Sequence, residues 1–388
     1  MENKVENNVL FIKPTGSVDS NNADAFGKEI DDIRKDHLDL PLVLDFDELK
    51  YISSAGLRQI LRLKKAVKDF KIINVSSEVY EVFEMTGFSE MIEIVKAYRK
   101  LSVDGCEKIG EGSNGIVYRI NPDTIIKVYK NNDALEDIKR ERELARTALI
   151  HGINTAIPYD VVMVDNHYGS VFELISAKSL TKLFNEAKDD EELNKYIKIF
   201  ADTLKEIHST TMEEGLLPSA KKNALKWASY LDGKIDNDVY TKLVRMLEEV
   251  PESLNVVHGD FHSGNIYYVD NEPIIIDMDT LSVGNPLFDF CNIYNAYHGF
   301  SDLDHEQVGR FLGINYDLAQ KVLNGTYKYY FSDKDDAYIE EAKKKAMVIS
   351  YLRLLRRTLK RDSENTAMIE NCRTKLINLV NELDNLIL

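Results

Sequence analysis

The chain has 388 residues, too many for one typical core, so two or three domains are expected. Apolar residues at 44% and charged residues at 29% fit a globular protein and exclude a disordered or fibrous one. A net charge of −16 argues against nonspecific nucleic-acid binding; it would suit a cationic substrate, but solubility alone accounts for it. The three cysteines, Cys106, Cys291 and Cys372, form no Cys-x-x-Cys pair and are odd in number, which predicts a reducing cytoplasmic setting. The first eight residues lack a cationic stretch followed by an apolar one, and no apolar run reaches membrane-spanning length. No membrane partner is expected.

In the first hundred residues strand and helix alternate, which predicts an α/β unit. Val9–Ile12 reads as a strand, Ala23–Arg34 as a helix capped by Asn21 or Asn22, and Leu42–Phe46 as an apolar strand. A helix over Leu57–Phe70, a strand over Lys71–Val75 and a helix over Val79–Thr86 ending at Gly87 follow. The segments Gly16-Ser-Val-Asp-Ser20, Leu44-Asp-Phe-Asp47, Ile52-Ser-Ser-Ala-Gly-Leu57 and Ile73-Asn-Val-Ser76 … Met85-Thr-Gly-Phe88 come in the order of STAS-domain landmarks. This region resembles the STAS domain of anti-sigma-factor antagonists. The resemblance implies a regulatory domain over residues 1–98 that binds a protein partner, and it makes Ser54 the position of the regulatory phosphorylation site. That family often has Asp just before the serine, where this chain has Ser53. Ser54 can also be a helix N-cap.

Lys100–Gly105 is polar and reads as a linker. Beyond it lies Ile109-Gly110-Glu-Gly112-Ser-Asn-Gly115-Ile-Val-Tyr118. A dinucleotide fold would start a helix right after such glycines. Here Ile116–Ile120 is β-rich and turns through Asn121-Pro-Asp123 into Thr124–Tyr129, so the glycines sit in a hairpin of the kind that covers ATP phosphates. Lys127 lies on the second strand. On the next helix, whose start Asp133 and Glu136 can cap, Ile138, Glu141, Ala145 and Ala148 share one face, whereas Glu143 shares its side with Lys139, Arg140 and Thr147. Glu141 is therefore the expected partner of Lys127. Val161–Val164 and Ser170–Leu174 read as paired strands leading to Phe172-Glu-Leu-Ile175.

Val256-Val-His258-Gly-Asp260-Phe-His-Ser-Gly-Asn265-Ile carries H-G-D-x-x-x-x-N, and an apolar strand then ends in Asp277-Met-Asp279. The glycine hairpin, Lys127, Glu141, this loop and Asp277 together resemble aminoglycoside phosphotransferases and choline kinases, the small-molecule branch of the protein-kinase-like fold. Protein kinases would show D-F-G at Asp277-Met-Asp279, and Gly284-Asn-Pro-Leu-Phe-Asp289 is similar to the branch's G-D-P-x-x-D with Asn285 in place of an aspartate.

The resemblance implies ATP and Mg2+ as cofactors and a small-molecule hydroxyl as acceptor. Gly110, Gly112, Gly115 and Lys127 would hold phosphates, with Lys127 paired to Glu141; backbone near Glu173 and Ile175 would hold adenine. Asp260 would take the hydroxyl proton, and Asn265 and Asp277 would hold the metal. Asp289 would brace the loop. Histidines 258 and 262 with the neighbouring aspartates could instead suggest a metal hydrolase, but Gly259 and Gly264 oppose the helix that such spacing needs.

The expected fold class is an α/β STAS-like domain plus an α+β bilobal kinase-like domain over residues 104–388, its N-lobe about 104–175 and its mainly helical C-lobe about 176–388. Two other readings stay open: a signalling scaffold that binds nucleotide without turnover, and a serine protein kinase acting on STAS-type partners.

Overall fold

A computed structural model describes residues 1–112, 115–131 and 135–388. It comprises two compact units, Met1–Asp104 with Val161–Tyr168, and Gly105–Asp160 with Gly169–Leu388. The Asp133 cap lies outside the described residues.

The first unit runs β1 (Glu2–Glu6), β2 (Val9–Lys13), β3 (Gly16–Val18), α1 (Ala23–Arg34), β4 (Leu42–Asp45), β5 (Leu49–Ile52), α2 (Ser54–Ala66), β6 (Phe70–Val75), α3 (Ser77–Met85), α4 (Phe88–Met91), β7 (Glu93–Lys96) and β8 (Lys100–Leu101). Its main sheet has the order β1-β2-β4-β6-β7, parallel from β2 to β7. In the central strand β4, Leu42, Val43 and Leu44 are all buried, as a parallel strand covered on both faces requires. Leu10, Ile12, Ile30, Leu44, Ile60 and Ile72 fill the core.

β1 was not expected from the sequence. It pairs antiparallel with β2 across Asn7 (φ 50°) and Asn8 (φ 65°), a two-residue turn with both residues left-handed. Asparagine tolerates that region, and the mirror-image turn suits the twist of a hairpin. Helix α2 begins at Ser54, earlier than the periodicity indicated. The cap is Ser53, whose Oγ accepts the Gly56 amide at 3.4 Å, so the capping role read for Ser54 belongs to its neighbour. Ser54 is exposed.

Next along the chain come β9 (Glu107–Glu111), β10 (Gly115–Asn121), β11 (Thr124–Tyr129), α5 (Leu135–Ile150), β12 (Pro158–Val164) and β13 (His167–Glu173). β9, β10, β11 and β13 pair antiparallel in the order β13-β11-β10-β9. The mainly helical lobe follows: β14 (Lys178–Ser179), α6 (Leu180–Glu186), α7 (Asp190–Ser209), α8 (Ala220–Ser229), α9 (Asn237–Glu248), β15 (Val256–Val257), β16 (Ile266–Val269), β17 (Glu272–Ile275), β18 (Ser282–Val283), α10 (Leu287–Tyr297), α11 (Glu306–Leu312), α12 (Tyr316–Tyr330), α13 (Asp336–Arg361) and α14 (Thr366–Glu382). α10 lies at its centre and every one of its residues is buried. α13 packs on α10 and α14, and α12 packs on α7.

The stretch read as a linker starts with a strand. β8 pairs in parallel with Met163–Val164, and Tyr98 meets Tyr168 edge-on at 5.4 Å. Pairing through backbone groups leaves little trace in side-chain pattern, which is why a polar segment can hide a strand. Among the described residues no helix is long and apolar enough to cross a membrane.

Candidate active site

The β10–β11 hairpin sets Gly115 opposite Tyr129 and Val117 opposite Lys127. A Cβ at Gly115 would stand 2.6 Å from the Val128 carbonyl oxygen, so glycine is required there by close approach. Lys127 Nζ lies 2.8 Å from Glu141 Oε1 and 3.5 Å from Asp277 Oδ1. Burial opposes its charge, but the Asp277 and Glu141 carboxylates outweigh burial and raise its pKa well above the ordinary lysine value. Glu141 is buried on the inner face of α5, and Glu143 is exposed.

Tyr129 completes the cluster. Its hydroxyl donates to Glu141 Oε2 at 2.6 Å and lies 3.3 Å from Ser170 Oγ. Burial, and then the Glu141 charge, raise its pKa, so it stays a donor. Sequence reasoning did not select Tyr129, although its place two residues after Lys127 puts both on one face of β11.

Glu141 thus fixes two side chains at once. Glu141→Gln keeps the volume but loses the charge-assisted bond to Lys127. We expect its phosphotransfer to fall at least about tenfold, or about 1.4 kcal/mol of transition-state stabilisation, with Glu143→Gln near wild type. Side-by-side transfer rates check the ranking.

The segment from Val257 to Asn265 is a non-helical loop closed by a short 3-10 turn, Ser263–Asn265. Fully buried Asp289 on α10 holds its start: Oδ2 accepts the His258 amide at 2.9 Å and Oδ1 the Gly259 amide at 2.7 Å. His208 Nε2 also approaches Asp289 Oδ2 at 3.0 Å. Burial pushes the Asp289 pKa up, but the His208 bond and charge and the Gly259 amide prevail and hold it below the usual aspartate value. Gly259 has φ +83°, and a Cβ there would meet Thr280 O at 2.7 Å.

His258 is fully buried, with Nδ1 accepting the Asp260 amide at 3.2 Å and Nε2 at 3.2 Å from Ile276 O. Both ring nitrogens are committed to backbone, so His258 shapes the loop. His262 Nε2 lies 3.8 Å from Asp260 Oδ2, and burial lowers its pKa. Among the described residues there is no cluster of three His, Cys, Asp or Glu side chains able to hold a metal.

Asn265 Nδ2 donates to Asp260 O at 3.1 Å. Its side-chain oxygen accepts no hydrogen bond among the described residues, so it is available to a cation. The Ile276 amide donates to Asn265 O at 2.9 Å, which ties this loop to the strand end that carries Asp277. Asp277 is left-handed, at φ 65° and ψ 64°, and its Oδ1 is buried without a hydrogen bond. Asp279 enters the sequence reading only among the aspartates of the metal-hydrolase alternative; burial, then the charges of Asp277 and Glu141, push its carboxyl up to about 7.

A cavity of about 340 Å3 gathers most of the expected residues. Its walls include Gly110, Gly112, Gly115, Lys127, Glu141 and Asp277, and the stretch Phe172–Ile175. Asp260 and Asn265 are not among them. At the Phe172–Ile175 wall, the Glu173 amide is committed to Ile157 O at 3.0 Å, whereas the Ile175 amide has no protein acceptor among the described residues.

A four-stranded antiparallel hairpin sheet with one long helix, joined to a mainly helical lobe, is the bilobal kinase-like fold. The chain belongs to the phosphotransferase enzyme family, whose model matches residues 105–320; a STAS domain precedes it over residues 1–101. An ADP-bound aminoglycoside phosphotransferase APH(2'')-Ib is 18% identical, with 77% of this chain and 98% of that one covered at a TM-score of 0.49. The gentamicin complex of APH(2'')-IIa is 19% identical, with 76% and 95% covered at a TM-score of 0.47. No curated protein matches the chain.

Proposed function

We propose that the chain transfers the γ-phosphate of ATP to a hydroxyl of a small molecule with magnesium, under regulation by its STAS domain. The observation that carries this reading is the Lys127–Glu141 pair set against Asp277, whose buried Oδ1 makes no hydrogen bond and has Lys127 Nζ at 3.5 Å, in the wall of a nucleotide-sized cavity. A buried carboxylate oxygen with an ammonium at 3.5 Å but no hydrogen bond can take a further cation. Asn265 and Asp277 would hold magnesium, which supplies positive charge against the phosphate oxygens.

Lys127 and the amides around Gly110, Gly112 and Gly115 would hold the phosphates. The Ile175 amide and the Glu173 carbonyl would hold adenine. Asp260 takes the acceptor proton as the acceptor oxygen bonds to the γ-phosphorus; the bond to the β-bridging oxygen breaks and ADP leaves. Positioning and fixed charge supply most of the acceleration.

Titration calorimetry tests the nucleotide site. In Asp277→Asn, ATP affinity should fall about tenfold or more with magnesium and change little without it; equal losses under both conditions mean a structural role. The purified chain is then screened with labelled ATP against hydroxylated metabolites, aminoglycosides and proteins. Binding without transfer to any of them favours the scaffold, and label on protein alone favours a protein kinase.

Ser54 is the proposed control point. It is exposed at the first position of the 13-residue helix α2, where a phosphate would meet free amides and the positive end of the helix dipole. Added negative charge there would change a protein contact. Phosphopeptide mass spectrometry on the chain incubated with ATP and magnesium, and on protein from its native host, should find Ser54 modified. An unmodified serine, together with a Ser54→Asp variant of unchanged activity and partner binding, rejects the idea.

A further inference from the structure

The two halves of α13 treat their cations differently. In the first half, Lys343, Lys344 and Lys345 pair with Glu340, Glu382 and Glu341. In the second half, Arg353, Arg356, Arg357 and Arg361 have no ion-pair partner among the described residues, in a chain whose net charge is −16. The helix dipole accounts for cations in the last turn, Lys360 and Arg361, but not for Arg353, two turns earlier.

Arg353, Arg357 and Arg361 recur at four-residue spacing, which places them along one side of the helix. That side borders the catalytic loop. Arg353 Nη1 lies 3.4 Å from the carbonyl oxygen of Gly259, the residue before Asp260, and its guanidinium sits 5.4 Å over the Trp227 ring. The Arg357 guanidinium lies 4.8 Å over Phe300. Burial and the two flanking arginines lower its pKa, and the nearby Asp260 carboxylate partly offsets them. Beside the loop, a cavity of about 140 Å3 has walls that include Gly259, Asp279, Trp227, Arg140 and Arg353. Its charged wall residues are two arginines and one carboxylate.

Unpaired guanidinium groups stacked on aromatic rings keep a fixed fork, the geometry that binds phosphate or carboxylate in two-point fashion. We propose, on the basis of the phosphotransfer reading, that the acceptor is a small hydroxylated molecule that already carries an anionic group, a phosphate or carboxylate, bound by Arg353 and Arg357 while its hydroxyl lies at Asp260. The chemistry is as above: the hydroxyl proton goes to Asp260, the acceptor oxygen gains the phosphoryl group, and ADP leaves.

Trp227 is the sole tryptophan, so its fluorescence reports on this site. The full chain, with a non-hydrolysable ATP analogue and magnesium present, is titrated with inorganic phosphate, glycerol 3-phosphate, glucose 6-phosphate and citrate. Glycerol, glucose and kanamycin serve as neutral and cationic controls, and calorimetry gives a second measurement. A saturable response to anions alone is expected. It should weaken at least about tenfold in Arg353→Gln and in exposed Arg357→Gln, and stay unchanged in Arg310→Gln, whose guanidinium pairs with Asp304 and Glu306. A response to either phosphate or citrate distinguishes the two anionic groups.

The inference is overturned by no saturable anion response, by wild-type affinity in both arginine variants, or by kanamycin binding as well as the anions. Failure of the analogue to bind speaks against the phosphotransfer reading alone; the anion titration is then read in the same way without it.

Discussion

Asp260→Asn should leave a folded protein that binds nucleotide and barely transfers phosphate. The substitution preserves volume. Asp260 is partly exposed, and its side chain anchors no main-chain group among the described residues, so the loop keeps its shape through Asp289 and Asn265. On the proposed mechanism what disappears is the acceptor for the hydroxyl proton, an effect on the order of 10^2- to 10^4-fold in kcat. Transfer of label from ATP to the acceptor that the screen returns, measured beside nucleotide affinity, checks both halves. Near-normal turnover with intact binding would remove Asp260 from the mechanism.

Asp289→Ala should do more damage to the fold than any other single change at this site. The carboxylate is fully buried and shared by the amides of His258 and Gly259 and by His208, whose other ring nitrogen lies 2.8 Å from the Tyr330 hydroxyl. Truncation leaves these groups without their acceptor in the centre of the helical lobe. Losing one partner of such a buried charged network costs about 3–5 kcal/mol. Denaturant melts should show the loss in the phosphotransferase transition, with the STAS domain followed separately because the chain comprises two compact units.

The pH dependence has a definite sign. A carboxyl held below its unfolded pKa adds stability that is present above the unfolded value and is lost as pH falls through the folded one. Wild type and variant should therefore differ most near neutrality and converge in acid. A constant gap down to strong acid would show that Asp289 acts through packing alone.

The parts of the fold legible in the sequence were those written as periodicity. α1 spans Ala23–Arg34 as expected, and the inner face of α5 carries Glu141 because burial of Ile138, Ala145 and Ala148 fixes the helix rotation. The loop that ends at Asn265 was legible through its spacing, and it brings Asn265 Nδ2 within 3.1 Å of Asp260 O. What escaped rests on backbone bonds or on distance along the chain. β8 joins its neighbour through main-chain groups, and β1 depends on two left-handed asparagines. His208 reaches Asp289 across 81 residues, and Arg353 reaches Gly259 across 94, with no local pattern to announce either.

Asp277 stands at a position where substitution is easy. Its left-handed backbone strains most side chains, while asparagine and glycine adopt that conformation readily. Either aspartate codon becomes an asparagine or a glycine codon by one base change. The chain is thus a single mutation away from a version whose backbone at 277 is at least as comfortable and whose carboxylate is gone. Local conformation gives no reason to prefer aspartate there over asparagine; what asparagine lacks is the charge.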